Sequence, residues 1–74
     1  MRGIGPITPR EMEVLHLLAE FKTYEDISSA LYIRMSTLYA HVYSIMLKTG
    51  LNKKELLIKY AIDQGYGRKT ALAV

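Results

Sequence analysis

The stretch TYEDISSALYIRMSTLYAHVYSIMLKTG, residues 23–50, decides the fold. Its opening, TYEDISSAL, reads as a short helix. Thr23 stands at a capping position, Asp26 follows three residues later as a capping-box partner, and Ile27, Ala30 and Leu31 form an apolar stripe. So short a helix is held by tertiary packing rather than by propensity. The segment YIR then makes a tight connection, with Ile33 pinned into the core. From about Met35 to Thr49 the chain reads as one longer helix, and Gly50 is its natural stop, because glycine tolerates the left-handed C-terminal position. At about 100° per residue, Leu38, Val42, Ile45 and Thr49 share one face, flanked by His41 and Met46. Ser36, Tyr39, Ala40, Tyr43, Ser44 and Leu47 point the other way. Two short helices joined by a few residues, the second followed by basic residues, describe a helix-turn-helix.

Helices are expected on both sides of this unit. In TPREMEVLHLLAEF, residues 8–21, Thr8 caps, Pro9 suits the first helical position and Glu11 closes a capping box. Met12, Val14, Leu15, Leu17, Leu18 and Phe21 recur at helical spacing, which predicts a helix over residues 9–20. In NKKELLIKYAIDQG, residues 52–65, Asn52 is expected to cap, Glu55 to close a third box and Gly65 to end the helix. Leu56, Leu57, Tyr60 and Ala61 pack inward or onto a partner. The fold class is therefore all-α with four helices, in one domain over residues 1–65. Residues 66–74, YGRKTALAV, are expected to fray.

Composition bounds the function. The chain has 74 residues, and chains this short bury only about 60% of their unfolded surface. Half of the residues are hydrophobic, enough for a small helical core. With no cysteine, neither disulfides nor thiolate metal sites hold the fold, which suits a reducing cytosol. MRGIGP lacks the apolar core of a signal peptide, and no apolar run approaches the roughly 18 residues of a membrane span. A cytoplasmic protein with no membrane partner is expected. Charge is uneven. Residues 1–33 hold Arg2, Arg10 and Lys22 against Glu11, Glu13, Glu20, Glu25 and Asp26, a net charge of −2. Residues 34–74 hold Arg34, Lys48, Lys53, Lys54, Lys59, Arg68 and Lys69 against Glu55 and Asp63, a net charge of +5. A basic second half suits an anionic partner such as nucleic acid, and equally a solvated basic face.

Catalysis and metal binding find little support. The two histidines, His16 and His41, lie on different helices without an acidic cluster, and His41 flanks the apolar face as a packed core histidine does. Ser36 and His41 are five apart on one helix and do not face each other. There is no glycine-rich phosphate loop. No enzyme, cofactor or metal is expected.

At this point a resemblance becomes specific. The opening TPREMEVLHLLAE, then Ile27, Leu31 and Ile33, then STLYAH at residues 36–41, with Ile45, Lys48 and Gly50 at fixed spacings and Glu55, Leu56 and Ala61 beyond, resemble the LuxR-type (GerE-type) helix-turn-helix of bacterial transcription regulators. The similarity covers residues 7–65, and the length resembles that of stand-alone members. It implies a sequence-selective DNA-binding transcription regulator with helix 3 in the major groove, acting on nucleoid DNA as a homodimer. RNA polymerase or a related regulator is a further partner class. Carried over onto this chain, the base-facing positions are Tyr39, Ala40 and Tyr43. Thr37 and Lys48 match backbone-contact positions, Lys22, Thr23 and Tyr24 match the start of helix 2, and Ser36 and Ser44 complete the DNA-facing set. Helix 4 implies a dimer contact through Leu57, Tyr60 and Ala61.

The chain also departs from that pattern. Tyr39 and Tyr43 stand where such domains often carry lysine or arginine. A tyrosine can bond a phosphate or a base edge and pack on a thymine methyl, but it neutralises no charge. The two rings, four residues apart, can also pair with each other. With Leu47 they make a surface suited to protein contact, which motivates an alternative: a protein-interaction module, an anti-activator or polymerase adaptor, on the same fold. A sigma-factor region-4-like module is a third reading. Arg34 replaces a capping serine, a loss of about 1 kcal/mol, and puts a cation where a DNA phosphate would relieve it. Phe21 replaces a glycine, and a bulky residue is disfavoured at positive φ, so the turn after helix 1 is expected to be built differently. Thr49 replaces a core leucine, and the loop before helix 4 is one residue short, which alters the expected angle of helix 4.

Overall fold

The computed structural model describes residues 5–67. It contains α1 (Pro9–Ala19), α2 (Tyr24–Leu31), α3 (Met35–Thr49) and α4 (Lys54–Asp63), with no strand among the described residues. α1 packs against each of the other three helices, and α2 packs against α3.

Local chemistry sets the helix starts. Thr8 Oγ1 accepts the Glu11 N–H at 3.2 Å while the Glu11 carboxylate accepts the Thr8 N–H at 2.9 Å, a complete capping box. Thr23 Oγ1 accepts the Asp26 N–H at 3.0 Å to start α2. α3 begins at Met35 behind Arg34, which makes no side-chain cap. α4 departs from expectation. It starts at Lys54 behind Lys53, with no side-chain cap, so Asn52 does not cap and Glu55 closes no box.

The helix ends hold two surprises. Phe21 adopts φ +63° and Tyr32 φ +57°, both left-handed, and both are well exposed. At each corner a pair of hydrogen bonds closes the helix. The Phe21 N–H donates to the Leu18 carbonyl and the Lys22 N–H to that of Leu17; the Tyr32 N–H donates to the Ser29 carbonyl and the Ile33 N–H to that of Ser28. This is the Schellman pattern, usually made by glycine. Phe21 thus takes the backbone that a glycine would take, contrary to the expected rebuilding of the turn. Gly50 ends α3 at φ +77° as expected. Thr49, in place of a core leucine, turns its hydroxyl onto the Ile45 carbonyl at 2.9 Å.

The core is Val14, Leu15 and Leu18 of α1, Ile27 of α2, Leu38, Val42 and Ile45 of α3, and Leu57 and Ala61 of α4. Met12, counted in the α1 stripe by spacing, is exposed, whereas Glu11 is buried. Its carboxylate also meets Lys48 Nζ at 2.7 Å, and Lys48 donates to the Pro6 carbonyl at 3.0 Å. One ion pair thus joins the start of α1, the segment before it and the end of α3. The expected fraying from residue 66 does not hold for the first two residues. Tyr66 packs against the core, and the Gly67 N–H donates to His16 Nδ1 at 3.0 Å; residues 68–74 lie outside the described residues.

Candidate nucleic-acid interface

α3 has two chemically opposite sides. Leu38 and Ile45 are completely buried and Val42 nearly so, which fixes the rotation of the helix. That rotation turns Ser36, Thr37, Tyr39, Ala40, Tyr43 and Leu47 to solvent. Tyr39 is 51% and Tyr43 63% exposed. Around this face Lys22, Thr23 and Arg34 are also exposed, and Tyr24 is half-buried at the start of α2.

The rings are arranged otherwise than the sequence spacing suggests. Tyr39 pairs with Tyr24, centroids 5.6 Å apart and planes at 78°, rather than with Tyr43. Edge-to-face pairs of this kind are worth about 0.5–1.5 kcal/mol beyond their burial. Lys54, the first residue of α4, sets its ammonium 4.5 Å from the centre of the Tyr24 ring. Burial, and then the nearby Tyr39 and Glu55, push the Tyr24 phenol above its usual range, so it stays neutral. No sequence spacing announces Lys54: it lies far along the chain from Tyr24 and Tyr39, and only the packing of α4 brings it to them.

Two expected DNA-facing residues turn inward. Lys48 is committed to Glu11, with the two side chains 10% and 4% exposed. Ser44 is half-buried and hydrogen-bonds the same carboxylate. Burial alone would raise the Glu11 carboxyl. The hydrogen bonds from Lys48, Ser44 and the Thr8 N–H, with the Lys48 charge, overcome this and bring it down to about 2. A buried cation paired in this way has no charge to offer a phosphate, so the structure holds Lys48 in the fold, with Ser44 half-buried beside it.

The expected dimer contact changes at two of its three residues. Leu57 and Ala61 are completely buried against the core and cannot meet a second chain. α4 shows solvent Leu56, Lys59 and Asp63, with Tyr60 half-buried. Leu51, Leu56, Lys59, Tyr60 and Asp63 line a shallow depression of about 270 Å³ there. No cluster of three or more potential metal ligands occurs among the described residues, and no described helix is long and apolar enough to cross a membrane.

Comparison with known proteins adds an independent finding. The GerE model of bacterial regulatory proteins, luxR family, matches residues 5–61. The Transcriptional regulatory protein MctR of Rhizobium johnstonii is 33% identical over 63 residues, which cover 85% of this chain and 29% of that protein. The Oxygen regulatory protein NreC of Staphylococcus aureus is 36% identical over 58 residues, 78% of this chain and 27% of that protein. The chain therefore spans less than a third of the length of these curated relatives. No solved structure gives a significant match.

Proposed function

The chain belongs to the luxR family of bacterial regulatory proteins, and from that premise we propose that it is a sequence-selective DNA-binding transcription regulator, with α3 in the major groove and two copies paired through α4. Its family regulates and does not catalyse, so no reaction is assigned. On this reading the protein works in the cytoplasm, on nucleoid DNA.

The observation that carries the proposal is the two-sidedness of α3. Its inner side is consumed by the core, while Tyr39, Ala40 and Tyr43 stand open at the positions that such domains turn to base edges. Thr37, Ser36, Arg34, Lys22 and Thr23 are exposed around them, suited to phosphate oxygens. With Leu57 and Ala61 in the core, pairing falls to the exposed side of α4, through Leu56 and Tyr60. Selection of bound duplexes from a random library tests both parts. The expected product is a pair of two-fold related half-sites about one helical turn apart. A library that enriches no sequence overturns the assignment, and a single unpaired half-site overturns the dimer.

One observation favours a second reading. Tyr39, Tyr43 and Leu47 are all large, uncharged and substantially exposed, a composition enriched at protein interfaces. The same fold would then be a protein-interaction module docking RNA polymerase or a related regulator. Tyr39→Ala and Tyr43→Ala discriminate: loss of DNA binding supports the first reading, and loss of partner binding with DNA binding intact supports the second.

A further inference from the structure

α3 presents no cation on its solvent side between Met35 and Thr49, because its one lysine, Lys48, is turned inward onto Glu11. A helix that enters a groove lined by phosphates needs positive charge close by, since counterion release supplies most of the affinity. Three side chains provide a route for it. Lys54 holds its ammonium over the Tyr24 ring, and Tyr24 meets Tyr39 edge-on, so a cation at the start of α4 is coupled through two rings to the outer face of α3.

Resting on the DNA-binding reading, we infer that Lys54, seated on Tyr24, is a phosphate clamp that adds a charge from α4 to those of Lys22 and Arg34 at the rim of α3. The kind of partner holding each lysine matters. Lys48 is paired with Glu11 and Lys59 with Asp63, so their charges are already answered by carboxylates. Lys54 is instead held by an aromatic face. A cation–π contact of this kind steadies the ammonium without cancelling its charge. The ammonium has three N–H donors, and a ring face occupies only one side of it. Tyr24 is accordingly a positioning residue, and its hydroxyl is dispensable while its ring is not.

The test is fluorescence anisotropy of the protein with a labelled mixed-sequence duplex over a series of salt concentrations, with folding of each variant checked by circular dichroism. Lys54→Met keeps the stem and removes the charge, and is expected to lower the slope of log K against log salt by about 0.9, the loss of one phosphate contact. Tyr24→Leu lowers the slope in the same direction, whereas Tyr24→Phe retains it. Arg10→Gln removes a cation already paired with Glu13 on α1 and leaves the slope unchanged. A folded Lys54→Met protein with the parental slope overturns the inference while the DNA reading stands. Absence of salt-dependent binding by the parent overturns both.

Discussion

At the residue scale, Phe21 and Tyr32 show what a single backbone angle costs. A left-handed conformation is disfavoured by roughly 1–2 kcal/mol for a residue with a side chain, and glycine escapes that cost while losing more chain entropy. Both residues are well exposed, Tyr32 at 94%, so little packing is lost on truncation. Tyr32→Gly and Phe21→Gly are each expected to stabilise by about 0.5–1 kcal/mol, read as a thermal melting point a few degrees higher. A lower melting point would mean that the exposed ring makes contacts worth more than the strain. These corners were only half legible in the sequence. Phe21 stands where a glycine is usual, and the steric rule spoke against positive φ there. The rule omitted the two carbonyls that the left-handed turn satisfies at each helix end, and those hydrogen bonds decide.

At the scale of the element, legibility follows capping chemistry. α1 and α2 were readable because Thr8 and Thr23 are good caps, and α3 because Gly50 closes it. The start of α4 is not legible in this way: Asn52 has the chemistry of a cap, but the helix starts one residue later, at Lys54 behind Lys53. Arg34 before α3 is the element where stability and function pull apart. Arg34→Ser offers a hydroxyl to the open N–H groups and removes a cation from the positive end of the helix dipole, which is expected to add about 1 kcal/mol. If Arg34 holds a phosphate, the same change weakens DNA binding and lowers its salt dependence. Melting and anisotropy on one variant check the pair of effects. A more stable protein with unchanged binding would remove Arg34 from the interface.

Across the whole molecule, the Glu11–Lys48 pair ties distant parts together and makes stability depend on pH. The Glu11 carboxyl titrates near 2 in the folded chain against 4.5 ordinarily. Between those values the unfolded chain holds more protons, so acid favours it. The contribution is complete above about pH 5 and is lost as pH falls toward 2; its size is roughly 3 kcal/mol. A chain of this length has only roughly 4–11 kcal/mol in all, so acid unfolding is expected inside that window. Glu11→Gln should flatten the acid limb in a circular-dichroism titration and cost about 3–5 kcal/mol near neutrality, because Lys48 is left buried without a counter-charge. An unchanged acid limb would move the proton-binding group elsewhere. This pair is not legible in the sequence, for a geometric reason. At 100° per residue Lys48 lies about 60° from Ile45, on the rim of the buried stripe, where periodicity cannot say which way a long side chain turns. Leu57 and Ala61 posed the same ambiguity, since an apolar stripe does not reveal whether a core or a second chain covers it.

The double duty of Glu11 also constrains how such a sequence can drift. Its carboxylate closes the cap on Thr8 and answers the charge of Lys48. Glutamine preserves the first role and abandons the second. Methionine at position 48 would leave an acid buried alone. Neither position can therefore change first without a penalty, and a library randomised at both should return paired solutions, charged together or neutral together, with mixed combinations depleted.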